Sequence, residues 1–162
     1  MLNVNDSLPD ITFSLRQDGH GSNPTTDDLF AGKRVVLFAV PGAFTPTCSN
    51  AHLPGYIALA DKLQGTGIDS IICLSVNDAF VMEAWAKTQN AEQITLLADG
   101  GGEFTQAIGL DVQTATFGGV RSRRYAMVVD NKIVKILNVE AAGKFDVSDA
   151  QTMLDAIEND GL

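Results

Sequence analysis

The sequence predicts an α/β fold with a mixed central sheet and helices on both faces of that sheet. Two nearly continuous apolar runs, residues 34–40 and 70–76, are typical of parallel strands that are covered on both faces. A helical pattern follows each run, which is the order of parallel crossover units. A later pair of apolar runs flanks Asp130-Asn131, a two-residue turn, and predicts an antiparallel hairpin.

Shorter segments complete the predicted sheet. Residues 11–15 alternate and predict an outer strand, while residues 94–97 predict a short one. Turn-forming residues predict loops at 18–24 and 99–102. The predicted strands, in chain order, are 11–15, 34–40, 70–76, 94–97, 125–129 and 132–139.

Four helices fill the gaps between these strands. Asp78 and Ser148 are the expected N-caps of the second and fourth helices, and Pro54-Gly55 should interrupt the first. One apolar face of the second helix is expected to comprise Phe80, Val81, Ala84 and Trp85. The predicted helices are 45–64, 78–90, 103–108 and 148–159.

Length and charge restrict the kind of protein. The 162 residues predict a single domain spanning 1–162, and the net charge of −9 disfavours nucleic acid or an anionic membrane as a partner. The first six residues contain no basic residue or apolar segment, so no secretory signal is predicted. The most apolar stretch ends at Pro41-Gly42, too short to span a bilayer. We therefore expect a cytoplasmic protein.

The cysteines and histidines predict thiol chemistry without a metal. There are two of each, no CxxC motif is present, and their spacing fits no zinc site. We therefore expect a reducing compartment and neither a metal nor another cofactor.

The most informative segment is Pro-Gly-Ala-Phe-Thr-Pro-Thr-Cys-Ser, residues 41–49, which follows a buried strand and opens a helix. Thr45 suits the N-cap and Pro46 the first helical position, which places Cys48 in the first turn. Free N–H groups and the helix dipole favour a thiolate there. A free cysteine is more often an inert core residue, but this position favours a nucleophile. Cys73 lies within the apolar run 70–76, where a core role is favoured.

Several separated motifs carry a resemblance to a known family. They are PGAFTPTCS with the following HLPGY, residues 73–82 (CLSVNDAFVM), residues 123–129 (RRYAMVV) and residues 134–140 (VKILNVE). Together they resemble the peroxiredoxins of the type-II/type-5 group over nearly the whole chain. The resemblance implies a thioredoxin-like fold and a peroxidase that reduces hydrogen peroxide and organic hydroperoxides.

The resemblance also implies roles for individual residues. Cys48 would be the peroxidatic cysteine, with Thr45 and Pro46 before it and Arg124 at the start of a later strand. The Thr47 and Cys48 N–H groups can stabilise charge as the O–O bond breaks. Spacing alone does not choose among the clustered arginines 121, 123 and 124. His52 lies four residues after the cysteine and is expected to be a supporting residue.

Regeneration of the cysteine requires a second thiol. Relatives that carry a resolving cysteine before the last helix would place it near Val147, where this chain has none. Cys73 could resolve only after local unfolding. We therefore expect glutathione with glutaredoxin, or thioredoxin, as reductant. The resemblance further implies a homodimer, for which Phe44 or Phe80 could contribute to the interface.

Two other functions fit the same fold class. A binding or chaperone module would not need Thr45 and Cys48, and both are present. A thiol-disulfide oxidoreductase would need CxxC, whereas Ser49, Asn50 and Ala51 follow the cysteine here.

Overall fold

A computed structural model describes residues 1–161. The strands are β1 (Leu15–Gln17), β2 (His20–Ser22), β3 (Arg34–Ala39), β4 (Ser70–Ser75), β5 (Thr95–Ala98), β6 (Asp111–Gln113), β7 (Val120–Ser122), β8 (Tyr125–Asp130) and β9 (Ile133–Val139). The helices are α1 (Thr26–Phe30), α2 (Leu53–Gly65), α3 (Ala79–Gln89), α4 (Glu103–Ala107) and α5 (Ala150–Asp160). A π-helical segment at Cys48–His52 precedes α2, and a 3₁₀ turn lies at Ala115–Phe117.

The central sheet has five strands in the order β5-β4-β3-β8-β9. The strands β3, β4 and β5 are parallel, whereas β8 runs antiparallel to both β3 and β9. The mixed sheet predicted from the two apolar runs and the late hairpin is therefore confirmed. Two small antiparallel hairpins, β1-β2 and β6-β7, lie outside it.

Alternate residues of the buried strands feed two separate core layers. Val36 and Phe38 of β3 belong to the layer that contains α2, α3 and α5, and Val35 and Leu37 belong to the layer that contains α1 and α4. Helices therefore cover both faces of the sheet, as expected. Cys48 lies in the layer with α2, α3 and α5.

The predicted strand at 11–15 is wrong in its position. Thr12 and Ser14 form only isolated bridges, and the strand begins at Leu15. The predicted loop at 18–24 contains the turn and second strand of a hairpin, because Asp18 and Gly19 both adopt positive φ. The Asp18-Gly19 dipeptide was the available signal for this hairpin.

Two helix details also differ from expectation. The buried residues of α3 are Met82 and Trp85, while the Phe80 side chain is 66% exposed. Asp78 does cap α3, since its side chain accepts from the Val81 N–H. Asp149, rather than Ser148, caps α5 through the Thr152 N–H.

No helix within residues 1–161 is long and apolar enough to cross a membrane.

Candidate active site

The turn between β3 and the following helix positions Cys48. The Ala43 N–H donates to Asn77 Oδ1 at 3.0 Å, which ties the turn to the end of β4. Phe44 adopts φ 65°, a left-handed conformation that a bulky side chain rarely takes. The helix begins directly afterwards, and Cys48 lies fully buried near the start of this helix.

Thr45 precedes the helix but does not cap it with its side chain. Its hydroxyl donates to the Gly42 carbonyl at 2.6 Å, while its own carbonyl accepts from the Ser49 N–H. Within residues 1–161, the N–H groups of Thr47 and Cys48 have no acceptor. The helix therefore presents two unpaired donors beside the thiol, as expected for a site that receives negative charge.

The expected interruption of the first helix takes the form of the π-helical segment. The Leu53 N–H donates to the Cys48 carbonyl, one residue further back than in an α-helix. Pro54 follows at once, and it has no N–H to donate to Asn50 in an α-helical pattern. The wider turn places Cys48 and His52 together in the interior.

Arg124 contacts the thiol. Its Nη2 donates to Cys48 Sγ at 3.1 Å, and its Nη1 lies 2.8 Å from His52 Nδ1. The other two clustered arginines lie elsewhere: Arg121 donates to the Val76 and Gly118 carbonyls, and Arg123 to the Glu140 carbonyl. Only Arg124 of the three therefore reaches Cys48 within the described chain.

His52 orients the Arg124 guanidinium. An arginine can only donate, so Nδ1 of His52 must accept. The proton then lies on Nε2, which donates to the Ser148 carbonyl at 3.0 Å. Burial, with the Arg124 charge acting in the same direction, lowers the pKa of His52 to about 3. His52 is therefore neutral in the native protein near pH 7.

Glu140 fixes the loop that carries the Ser148 carbonyl. Its buried carboxylate accepts the N–H groups of Asp146, Val147 and Ser148 and the Ser148 hydroxyl, at 2.7–2.9 Å. Burial opposes the charge of this carboxylate, but these hydrogen bonds outweigh it and hold the pKa of Glu140 below its usual range. Glu140 therefore acts on Arg124 through Ser148 and His52.

Aromatic side chains enclose this chain of contacts. Phe38 stacks on Tyr56 with ring centroids 3.9 Å apart, and His52 packs against Phe38 at 4.9 Å. Phe145 lies 4.9 Å from the His52 ring and 5.8 Å from the Arg124 guanidinium carbon. This low-dielectric wall strengthens the interaction between Arg124 and the buried sulfur.

Cys73 lies within the core on β4, in register with Phe38 of β3. It is fully buried and its thiol is free. Burial, with a smaller contribution from Cys48, raises the pKa of Cys73 well above its usual value. Cys73 therefore remains a neutral thiol in this fold.

The contribution of Glu140 and Ser148 was missing from the sequence reasoning. Ser148 is 96 residues from His52, and nothing local to either residue predicts the pairing.

Among residues 1–161 no three histidine, cysteine, aspartate or glutamate side chains are placed to hold a metal ion.

Comparison with known proteins gives a consistent family. Residues 3–154 match the Redoxin family. The chain is 50% identical over 162 residues to the chloroplastic peroxiredoxin-2E of Arabidopsis thaliana, covering 96% of this chain and 69% of the relative.

Two solved structures extend the likeness to the fold. Reduced Prx3 of Vibrio vulnificus in complex with hydrogen peroxide superposes with a TM-score of 0.95 at 56% identity, covering 97% of this chain and 99% of that one. Oxidized Prx3 from the same organism gives 0.90 at 57% identity, covering 96% and 99%. These likenesses confirm a thioredoxin-like fold, and the chain belongs to the peroxiredoxins, the thiol peroxidases of the redoxin family, in the type-II/type-5 group.

Proposed function

We propose that Cys48 reduces hydrogen peroxide and organic hydroperoxides through a sulfenic acid, with Arg124, Thr45 and Pro46 completing the catalytic site. The observation that carries this proposal is the 3.1 Å contact between Arg124 Nη2 and Cys48 Sγ, beside two N–H groups without acceptors. A permanent positive charge next to the sulfur stabilises the thiolate, which is the nucleophile.

The first step moves one oxygen to sulfur. The Cys48 thiolate attacks one peroxide oxygen, an S–O bond forms and the O–O bond breaks. The sulfur is oxidised to sulfenic acid, and the departing hydroxide or alkoxide takes up a proton to give water or an alcohol. Arg124 and the Thr47 and Cys48 N–H groups are placed to stabilise the negative charge that moves onto the leaving oxygen.

Thr45 orients the peroxide. Its hydroxyl proton is committed to the Gly42 carbonyl, so the oxygen has lone pairs left to accept from a peroxide O–H. Pro46 starts the helix without leaving another unpaired donor at this point. Thr47 contributes its N–H, and His52 and Glu140 act as positioning residues through Arg124.

The second step consumes an external thiol. A thiolate attacks the sulfenic sulfur, a mixed disulfide forms, and water leaves after protonation. A second thiol then exchanges with the mixed disulfide and restores Cys48. Cys73 is buried on a central strand with a raised pKa, which supports an external resolving thiol, glutathione with glutaredoxin or else thioredoxin.

A reductant panel tests this proposal. Single-turnover peroxide reduction should disappear in Cys48→Ser, while sustained turnover of the native protein should require glutathione with glutaredoxin or thioredoxin. Unchanged peroxide consumption in Cys48→Ser would overturn the assignment of the nucleophile. Equal turnover with every thiol would contradict the proposal that glutathione with glutaredoxin, or thioredoxin, is the dedicated reductant.

The homodimer and the cytoplasmic location are part of the same proposal. Phe44 and Phe80 have 52% and 66% of their surface exposed, and an apolar ring at that exposure suits an interface. Sedimentation equilibrium of the native protein and of Phe44→Ser and Phe80→Ser variants tests the dimer. A native protein that sediments as a monomer at micromolar concentration would refute it.

A further inference from the structure

A groove of about 400 Å³ opens beside Arg124. Thr47 and Arg124 line it, so one end of the groove lies beside the chain neighbour and the hydrogen-bond partner of Cys48, whose sulfur is itself buried. Hydrogen peroxide has two heavy atoms and needs only that end. The volume falls in the range of sites that hold small organic ligands. The rest of the groove is therefore available to the remainder of a larger substrate.

One part of the groove wall is apolar. Val112 leaves 39% of its surface exposed there, and Ala141, Ala142 and Phe145 continue the wall. An aliphatic chain buried against such a surface would remove its apolar area from water, which favours binding. The groove therefore favours an organic molecule over a purely polar one.

The groove also concentrates positive charge in an acidic protein. Arg123, Arg124 and Lys144 line it, which is three of the 11 basic side chains of a chain with net charge −9. Within residues 1–161, the Arg123 guanidinium makes one hydrogen bond, to the Glu140 carbonyl, and the Lys144 ammonium makes none. Both therefore have donors left for a ligand.

Two carboxylates line the same groove and have to be weighed against these cations. The Glu140 carboxylate is occupied by four donors of the 146–148 loop, which leaves Asp111 as the acid free to face a ligand. Arg123 and Lys144, apart from Arg124 at the thiol, outnumber it. An anionic group is therefore favoured in the groove.

We propose that this groove binds the carboxylate of an organic substrate whose reacting group reaches Cys48, with Arg123 and Lys144 holding the carboxylate. The inference rests on the proposed peroxidase function and specifies the class of its substrate. The apolar wall favours a carboxylate-bearing hydroperoxide with an aliphatic chain. A carboxylate-bearing thiol such as glutathione has the same chemistry, and separate arms of the experiment distinguish the two.

The experiment compares matched pairs of substrates in single turnovers. In the peroxide arm, linoleic acid hydroperoxide is compared with its methyl ester, and hydrogen peroxide serves as the small reference. In the thiol arm, the sulfenic acid form is reacted with glutathione and with its diethyl ester. The variants are Arg123→Gln, Lys144→Gln and the double substitution, and Lys62→Gln, at the far end of α2 from Cys48, is the matched charge control.

The double variant should lose about tenfold in rate with the carboxylate-bearing member of one pair, the equivalent of ~1.4 kcal/mol, and little with the esterified member. Lys62→Gln should lose nothing. High salt should reduce the preference of the native protein for the carboxylate. A loss confined to the acid hydroperoxide assigns the groove to the peroxide, and one confined to glutathione assigns it to the thiol.

Equal losses for the acid and its ester, or no loss in either arm, would overturn the inference. The Lys144 side chain is exposed and unpaired in the described chain, so Lys144→Gln should fold normally. If Arg123→Gln does not fold, Lys144→Gln alone still tests the inference. If the native protein reduced hydrogen peroxide rapidly while the variants kept full carboxylate preference, only the groove assignment would fail. A native protein inactive with hydrogen peroxide would instead refute the proposed function together with this inference.

Discussion

Arg124 separates a catalytic site from a merely reactive thiol. It donates to Cys48 Sγ, and in the proposed mechanism the transition state places new negative charge within its reach. A thiolate alone suffices for alkylation, but peroxide reduction also needs the leaving oxygen to be stabilised.

We expect Arg124→Ala and Thr45→Val to slow hydrogen peroxide reduction by roughly 100- to 1,000-fold, the usual cost of losing one such contact. Alkylation of Cys48 by iodoacetamide should fall much less. Arg34→Ala is the matched control, because Arg34 lies at the opposite end of β3 and pairs with Asp130. A parallel fall in both reactions would show that these side chains act through the thiolate or the fold instead.

Cys73 provides a second prediction at the same scale. Because it is buried and un-ionised on β4, Cys73→Ser should retain most turnover with glutathione and glutaredoxin. The buried hydroxyl should cost some stability, since it places a polar group in an apolar layer. Loss of turnover with an intact first reduction of peroxide would identify Cys73 as the resolving thiol.

At the scale of elements, the 146–148 loop before α5 holds the site residue His52 in place through a backbone carbonyl. Glu140 holds this loop through four donors, and the loop carbonyl of Ser148 accepts from both His52 and Tyr56. The loop therefore sets the position of His52 and, through it, that of Arg124.

Glu140→Gln should lower the free energy of unfolding by about 2 kcal/mol or more, since hydrogen bonds to a charged acceptor are worth ~1.5–3 kcal/mol each. It should also slow peroxide reduction more than it slows alkylation, because Arg124 loses its support. Urea unfolding and single-turnover rates measure the two effects. Glu158→Gln, on the exposed side of α5, is the control and should change neither. A Glu140→Gln variant that reduces peroxide at the native rate would show that the loop does not influence the position of Arg124.

The sequence predicted the elements whose signal is local. The apolar runs became β3 and β4, and the position of Cys48 at a helix start followed from Thr45-Pro46. Contacts between distant segments were not predictable in this way. Ser148 looked like a helix cap but donates its hydroxyl to Glu140, and the choice of Arg124 over its neighbours depended on family resemblance.

At the scale of the whole molecule, His52 links stability to pH. Its pKa is depressed to about 3 in the folded protein, whereas in the unfolded chain it is near 6.5. The unfolded state therefore binds more protons between these values. The stability contributed by neutral His52 is present above about pH 6.5 and is lost as the pH falls toward 3.

We expect the free energy of unfolding to fall by as much as ~1.4 kcal/mol per pH unit across this window from His52 alone. His52→Gln should flatten the profile, although the variant starts from lower stability. His20→Gln is the control, because His20 is exposed on β2 and should leave the slope unchanged. Urea titrations between pH 4 and 7 give the slopes. An equally steep profile in His52→Gln would assign the effect to other groups, such as Glu140, whose pKa is also lowered in the folded protein.

The hydrogen bond from Trp85 to Ser49 gives the protein an internal optical probe. Trp85 is the single tryptophan, is fully buried, and donates Nε1–H to the hydroxyl of the residue that follows Cys48, at 3.0 Å. A rearrangement of the π-helical segment that moved Ser49 away from Trp85 would break this bond and admit water to the indole. Emission that shifts to the red when Cys48 is oxidised and returns when the thiol is restored would therefore report such a rearrangement without any label, and unchanged emission would show that the segment keeps its conformation.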